Sequence, residues 1–392
     1  MIKSITDLPL QKKRVFIRVD FNVSFDENEN IQDDTRIRAV LPTLEYAIKE
    51  DAKVILASHL GRPKGIRDAK LSLLPVAAYL SKLLKKDILF PEDCIGDAVK
   101  KLAQDLREGQ VMLLENLRFH EGEEKNDAVF SEKLASIAEV YVNDAFGTLH
   151  RAHASTVGMV KHFKYKGAGF LVRKEVDYLS KVLENPERPL VAILGGAKVS
   201  DKLAAVDYLL SKVDALLIGG AMAYTFLKAM GKDVGSSLVE DNKLNLAAKF
   251  MERAKAKGVP LLLPVDHRIA QKLEKGAPSE IAEGNIPQGF MGLDIGPKTI
   301  EKFGGKIIEA KTVIWNGPMG VFEVPPFNEG TFAIAKLVAK SKALSVVGGG
   351  DSAAAIMESG LSDQISHIST GGGATLACFE GKLLPGLQAL KE

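Results

Sequence analysis

Short runs of β-branched and aliphatic residues alternate with longer stretches of helical periodicity along the whole chain, and this alternation limits the fold more than any other feature. The runs are Val15–Val19, Val54–Ala57, Val111–Leu114, Val140–Val142, Leu190–Leu194, Ala215–Ile218, Leu261–Val265, Val313–Trp315, Leu344–Val347 and Ile365–Ile368. Near-continuous apolar strands separated by helices form parallel sheets with helices on both faces. Helices are expected at Ser72–Lys85, Asp127–Ala138, Lys202–Lys212, Leu244–Lys257 and Phe332–Lys340. A chain of 392 residues exceeds one ordinary core, so two such domains are expected. Between Phe170 and Pro189 a charged stretch of helical pattern, Val172–Leu183, ends in Asn185-Pro186-Glu187-Arg188-Pro189, whose prolines stop a helix. The expected class is therefore α/β: two doubly wound, Rossmann-like parallel-sheet domains, residues 1–170 and 189–379, joined by a helical connector at residues 171–188.

Composition excludes several function classes. The formal net charge is +2, so no whole-protein field draws nucleic acid or a membrane to the surface. The first ten residues are broken by Lys3, Asp7 and Pro9 and hold no signal core. The longest uncharged apolar run, Ala215–Leu227, is shorter than a membrane span. The two cysteines, Cys94 and Cys378, indicate neither a disulfide framework nor a thiolate metal site. A cytoplasmic protein is expected.

The residues just past each strand carry the chemistry. In the first half the strand ends lead to Asp20-Phe21-Asn22, Ser58-His59-Leu60-Gly61-Arg62-Pro63, Glu115-Asn116-Leu117-Arg118 and Asn143 to Arg151. In the second half they lead to Gly195-Gly196-Ala197-Lys198, Gly219-Gly220, Asn316-Gly317-Pro318, Gly348 to Ser352 and Thr370 to Gly373. Ligands of open α/β sheets bind at those ends. Nine of the thirteen arginines lie in residues 1–151, whereas twenty-nine of the thirty-five glycines lie beyond residue 150. Two crevices are expected, one lined with arginine and one with glycine.

Arg36, Arg62, Arg118 and Arg151 stand beside strand-end loops, where converging forks bind phosphate and carboxylate bidentately. His59 beside Arg62 can donate to a phosphate oxygen, or cap and pack. His150 and His153 have no cysteine or acidic neighbour to complete a zinc set, and Glu121, Glu123 and Glu124 read as a solvated loop. Neither GxxxxGK[ST] nor a strand-following GxGxxG occurs. The glycine clusters can still cradle phosphates on bare amides. Asp351 is placed to hold Mg²⁺ at such phosphates or, alternatively, to cap a helix. Lys198 and Lys202, four apart, are expected on one face at a helix N-terminus, where two cations oppose the dipole unless a polyphosphate binds. No general base stands out.

Together these pieces resemble the phosphoglycerate kinase family over essentially the whole chain. The resemblance rests on Arg18-Val-Asp-Phe-Asn-Val23, Ser58-His-Leu-Gly-Arg-Pro63, Glu115-Asn-Leu-Arg-Phe119, Asn143-Asp-Ala-Phe-Gly147, His150-Arg-Ala-His153, Gly195-Gly-Ala-Lys-Val-Ser-Asp-Lys202, Gly292-Leu-Asp-Ile-Gly-Pro297, Trp315–Glu323, Gly348-Gly-Gly-Asp-Ser352 and Ser369-Thr-Gly-Gly-Gly373. It implies reversible phosphoryl transfer between 1,3-bisphosphoglycerate and ADP, giving 3-phosphoglycerate and ATP with Mg²⁺, by in-line transfer on domain closure in a glycolytic monomer. It assigns the glycerate to Asp20, Phe21, Asn22, Arg36, His59, Leu60, Gly61, Arg62, Arg118 and Arg151. It assigns the nucleotide to Lys198, Lys202, Gly219, Gly220, Gly292, Leu293, Asn316, Glu323, Gly349, Gly350, Asp351 and Ser352, with Mg²⁺ on Asp351. It also returns residues 380–392 to the first domain. Arg36, Lys198 and the amides of Gly371 and Gly372 are expected to stabilise the transferring group. The rival readings are a non-catalytic nucleotide-binding scaffold, which would be expected to lose Asp351, Lys198 or Arg36, and a kinase for another acid, which would alter the arginine half.

Overall fold

A computed structural model of the protein describes residues 2–28 and 30–391. Met1 and Glu392, which bound the expected first domain, lie outside the described residues. The chain divides into two compact units, Met1–Val176 with Leu383–Glu392, and Asp177–Lys382.

The first unit holds a six-stranded sheet of β1 (Arg14–Arg18), β2 (Lys53–Ala57), β3 (Ile88–Leu89), β4 (Val111–Leu113), β5 (Val140–Asn143) and β6 (Tyr165–Ala168), in the order β3-β4-β2-β1-β5-β6. All pairings are parallel. The chain starts at the centre, winds to one edge and returns beside β1, so the switch point lies between β1 and β5. There Arg18 pairs with both Ala57 and Asn143. Val15, Ile17, Val54, Leu56, Val111, Leu113, Val140 and Val142 supply one buried face, against Ile37, Val40 and Leu44 of the helix Thr35–Lys49. The other face buries Phe16, Ile55 and Tyr141. This two-sided burial is why the strands read as apolar runs.

The second unit repeats the plan. Its sheet contains β7 (Leu190–Leu194), β8 (Ala215–Ile218), β9 (Leu261–Leu262), β13 (Thr312–Asn316), β14 (Leu344–Gly348) and β15 (His367–Ile368), in the order β15-β14-β13-β7-β8-β9. The switch point falls between β7 and β13, where Asn316 is in register with Leu194 and Gly348. Trp315 and Phe303 are fully buried in its core. Between β9 and β13 the chain builds an antiparallel sheet from β10 (Asp266–Ala270), β11 (Ser279–Glu283) and β12 (Met291–Ile295). No apolar run announces it: β11 reads Ser-Glu-Ile-Ala-Glu and is largely open to water. Among the described residues no helix is long and apolar enough to cross a membrane.

Two expectations are corrected. The helix expected from Lys202 begins at Leu203. Lys202 ends a turn, its amide donating to the Val199 carbonyl at 2.9 Å, so Lys198 and Lys202 share no helix face. Glu123 is not in a solvated loop but fully buried. Its carboxylate accepts from the Ser155 hydroxyl at 2.5 Å and the Ser155 amide at 2.9 Å. The Ser155 oxygen in turn accepts from Nε of the buried Arg18 at 2.8 Å, so one serine relays a carboxylate to a guanidinium at the end of β1.

The helix Pro385–Lys391 belongs to the first unit. The Gly386 amide donates to the Leu149 carbonyl at 3.0 Å, and a Cβ on Gly386 would lie 3.2 Å from Leu149 Cα.

Removing one partner of a buried charge pair leaves the other uncompensated. Glu123→Ala is therefore expected to destabilise the first unit by about 3–5 kcal/mol, whereas Glu121→Ala, on an exposed pair with Lys125, leaves stability nearly unchanged. Urea unfolding followed by far-ultraviolet circular dichroism measures both. Equal small losses would show that Arg18 does not depend on Glu123.

Candidate active site

The first crevice lies at the carboxyl ends of β1, β2, β4 and β5. Asn116 shapes its floor. Its Oδ1 accepts from the Leu60 and Arg118 amides at 3.2 and 3.1 Å, and its Nδ2 donates to the Leu60 and Leu71 carbonyls at 2.8 and 2.9 Å. The loop can turn there because Gly61 adopts φ +62°, a region unfavourable to other residues. Asn22 ties the β1 loop to it by accepting from the Gly61 amide at 2.8 Å. Arg118 is almost fully buried and donates from Nη1 to the Gly61 carbonyl at 2.7 Å. Its Nε lies 3.2 Å from Glu124 Oε1 but is not aligned for a hydrogen bond. Arg36 donates to the Asn22 carbonyl at 2.9 Å and stands 3.6 Å from Asp20 Oδ2, with about 39% of its side chain exposed. Arg151 donates to His150 Nε2 at 3.2 Å.

His59 records the field these groups create. It is buried, and its pKa lies well below the ordinary value, first through desolvation and then through the charges of Arg18, Arg118, Arg151 and Arg36. Desolvation, followed by the charges of Arg118, Arg18, Arg151 and His150, pushes His153 down to about 4. Both imidazoles are therefore neutral near pH 7. Arg18 Nη2 lies 3.3 Å from His59 Nδ1, which accepts, leaving the proton on Nε2 as a donor. Asp20 Oδ1, 3.9 Å from that Nδ1, consequently faces no charged histidine. A neutral donor ringed by guanidinium groups suits a multiply charged anion.

Not every expected residue presents its side chain. Phe21 and Leu60 are buried in the apolar core, and their backbones are already engaged, the Phe21 amide donating to Ser58 Oγ at 2.8 Å and Leu60 pairing with Asn116. Arg62 is exposed and forms no ion pair among the described residues. Arg18 joins the site although in the sequence it stands only as the first residue of a motif, with no ligand role; a cation closing an otherwise apolar strand is the signal that points to it.

The second crevice contains a cavity of about 410 Å³. Tyr224, Leu238, Leu273, Met291, Leu293 and Val321 give it apolar walls, and Gly220, Gly292, Glu323 and Asp351 also line it. This is a slot for a flat ring with polar groups at its rim. Gly292 leaves room for Tyr224, whose hydroxyl occupies the space a Cβ would need.

The glycine clusters act differently from expectation. The amides of Gly195, Gly196, Gly219 and Gly220 donate to the carbonyls of Asn316, Pro318, Leu194 and Met319 at 2.8–3.0 Å. Gly317 donates to Ser352 Oγ at 2.6 Å, and Gly371 to Ser369 Oγ at 3.1 Å. These amides are spent on neighbouring loops. A Cβ on Gly220 would approach Gly196 N to 2.5 Å, so close backbone packing is what demands glycine there. Gly219 lies behind the cavity against Met319. The free anion-binding end is the N-terminus of the nine-residue helix Gly350–Glu358. Gly349 is its N-cap at φ +97°, so Asp351 is not the cap and its exposed carboxylate is free to face the cavity.

Lys202 and Asn316 stand beside it. Lys202 Nζ donates to Asn316 Oδ1, and Asn316 Nδ2 donates to the Gly348 carbonyl at 2.7 Å. Burial lowers the Lys202 pKa, opposed by the charges of Asp201, Asp351 and Glu380. Lys198 is exposed in the preceding loop.

A family model described as phosphoglycerate kinase matches residues 5–382. The phosphoglycerate kinase of Anaeromyxobacter sp. (strain Fw109-5) is 58% identical over 100% of this chain and 99% of its own length. The enzyme named phosphoglycerate kinase, cytosolic, of Nicotiana tabacum is 54% identical over 100% of this chain and 98% of its own. The solved structure of phosphoglycerate kinase from Coxiella burnetii superposes with a TM-score of 0.91 at 42% identity, covering 100% of this chain and 99% of that one. With both crevices sitting at the switch points of matching sheets, the chain belongs to the phosphoglycerate kinase family.

Proposed function

We propose that the chain transfers the 1-phosphoryl group of 1,3-bisphosphoglycerate to ADP, reversibly, giving 3-phosphoglycerate and ATP in the cytoplasm as a monomer. The observation that carries this reading is the ring of Arg18, Arg36, Arg118 and Arg151 around a neutral His59. Such a site suits a small molecule with phosphate and carboxylate at its two ends. The apolar slot fits the adenine, with Glu323 at the ribose. Lys198, Lys202, Asn316 and the Gly349–Ser352 helix start meet the phosphates.

The reaction needs no general base. Its nucleophile is a carboxylate in one direction and a nucleotide phosphate in the other, both ionised at pH 7. The residues position the partners and neutralise charge on the transferring group. Arg36, Lys198 and the Gly372 amide are assigned that task. Closure of the two units is part of the proposal, because in-line transfer must exclude water. Asp351 fits a Mg²⁺ ion: it is an exposed carboxylate at the phosphate-binding helix end with no capping duty, and Mg²⁺ typically takes one or two carboxylates plus phosphate oxygens and water. The ion would neutralise phosphate charge there.

A coupled assay with 3-phosphoglycerate, ATP and Mg²⁺ tests the activity directly, and no turnover by folded protein overturns it. Arg62→Ala should weaken 3-phosphoglycerate binding by about 1.5–3 kcal/mol, the range for a charged hydrogen bond, because this arginine has no ion pair to lose. Separate calorimetric titrations should show nucleotide affinity unmoved. Asp351→Asn should lower affinity for the Mg²⁺ nucleotide more than for the metal-free nucleotide; equal losses would remove Asp351 from the metal site. Arg36→Lys keeps charge but loses the planar fork. It should lower kcat by roughly 10²–10³ while the KM for 3-phosphoglycerate changes much less. Normal kcat with raised KM would make Arg36 a ground-state clamp.

A further inference from the structure

The second unit contains another cavity, of about 470 Å³, that shares no lining residue with the slot described above. It forms where the main sheet ends. β9 is an edge strand of only two residues, after which Leu263, Pro264 and Val265 lead into the small antiparallel sheet. Leu227 from the helix Met222–Ala229 and Met251 from the helix Leu244–Ala256 line it together with Leu261 and Leu263. Its body is therefore apolar. Met230 and Val265, at 55% and 38% exposure, remain partly in water.

Its charge has one sign. Lys232, Lys255 and Lys302 line it, and no aspartate or glutamate does. Neighbouring bases on the same two helices are matched, Lys228 with Asp241 and Arg253 with Asp207. Among the described residues these three lysines form no ion pair. Lys255 lies in the last turn of its helix, where carbonyl ends favour a cation without consuming its charge. Lysine stems also cover apolar surface while their ammonium groups stay at the rim.

We propose that this cavity is a second ligand site, for a small amphipathic organic acid whose apolar tail enters between Leu227, Met251, Leu261 and Leu263 and whose anionic head meets the three lysines. Charge complementarity selects an anion over a neutral or cationic amphiphile, and the volume lies within the range of small-molecule pockets.

Calorimetry on the full chain with decanoate, below its micellar concentration, tests this. One saturable site is expected, with nonyltrimethylammonium, of equal tail and opposite charge, at least about tenfold weaker. The triple variant Lys232→Gln, Lys255→Gln, Lys302→Gln should lose about tenfold or more in decanoate affinity, and Met251→Trp, which fills the cavity, should lose binding. Both should keep the kinase turnover of the parent, which also checks their folding. With ¹³C-methyl methionine labelling, decanoate should shift Met230 and Met251 while leaving Met291 and Met319 in place. No saturable binding, equal affinity for the cationic amphiphile, or an unaltered lysine variant overturns the proposal. So does a shift confined to Met291 and Met319, which would place decanoate in the nucleotide slot. The lysine variant, being superficial, keeps the test decisive even if Met251→Trp does not fold.

Discussion

The first unit depends on holding positive charge where water cannot reach it. Arg18 is almost fully buried at the switch point of the sheet, and a guanidinium there is tolerable only with its donors engaged. Ser155, the Val19 carbonyl and His59 Nδ1 take those donors, and Glu123 supplies the countercharge through Ser155. The remaining arginines are arranged around this fixed centre. Burial first, and then the charges of Arg18 and these arginines, suppress protonation of His59 and His153, so the site keeps neutral donors among its cations. Its electrostatic character is thus built before any substrate arrives, and little reorganisation is left for the reaction itself.

In the second unit the comparable constraint is steric. Three strand-end turns, at Gly195–Gly196, Gly219–Gly220 and Gly317–Pro318, pack backbone against backbone, the amides of the first two donating to neighbouring carbonyls and that of Gly317 to Ser352 Oγ. That scaffold sets the walls of the cavity, with the start of the helix Gly350–Glu358 and the half-buried Lys202 beside it.

The parts of this arrangement visible in the sequence are those set by burial. Strands covered on both faces must be apolar throughout, so β1, β2, β7, β8, β13 and β14 announce themselves, and polar residues after them mark the ligand side. Local spacing fails where tertiary partners decide. Glu123 looks solvated until Ser155 and Arg18, distant in sequence, close over it. Lys198 and Lys202 have helical spacing, but the turn before Leu203 separates them. Gly371 has the composition of a phosphate cradle, yet Ser369 takes its amide. The strand β11 escapes detection because it carries charges open to water, and β10 because it buries polar residues, Asp266 held by Thr299 and His267 beside it.

The Gly386–Leu149 contact also bears on the order in which the protein can be completed. The first unit is assembled from two separated stretches of chain, whereas the second is continuous. At a synthesis rate of about 5–20 residues per second, roughly 10–40 s pass between emergence of Val176 and of Leu383. Throughout that interval the surface around Leu149 waits uncovered, while the continuous unit receives everything it needs to fold. The part translated first is therefore the part finished last, and a nascent chain that has emerged only as far as Lys382 would carry a complete second unit behind an unfinished first.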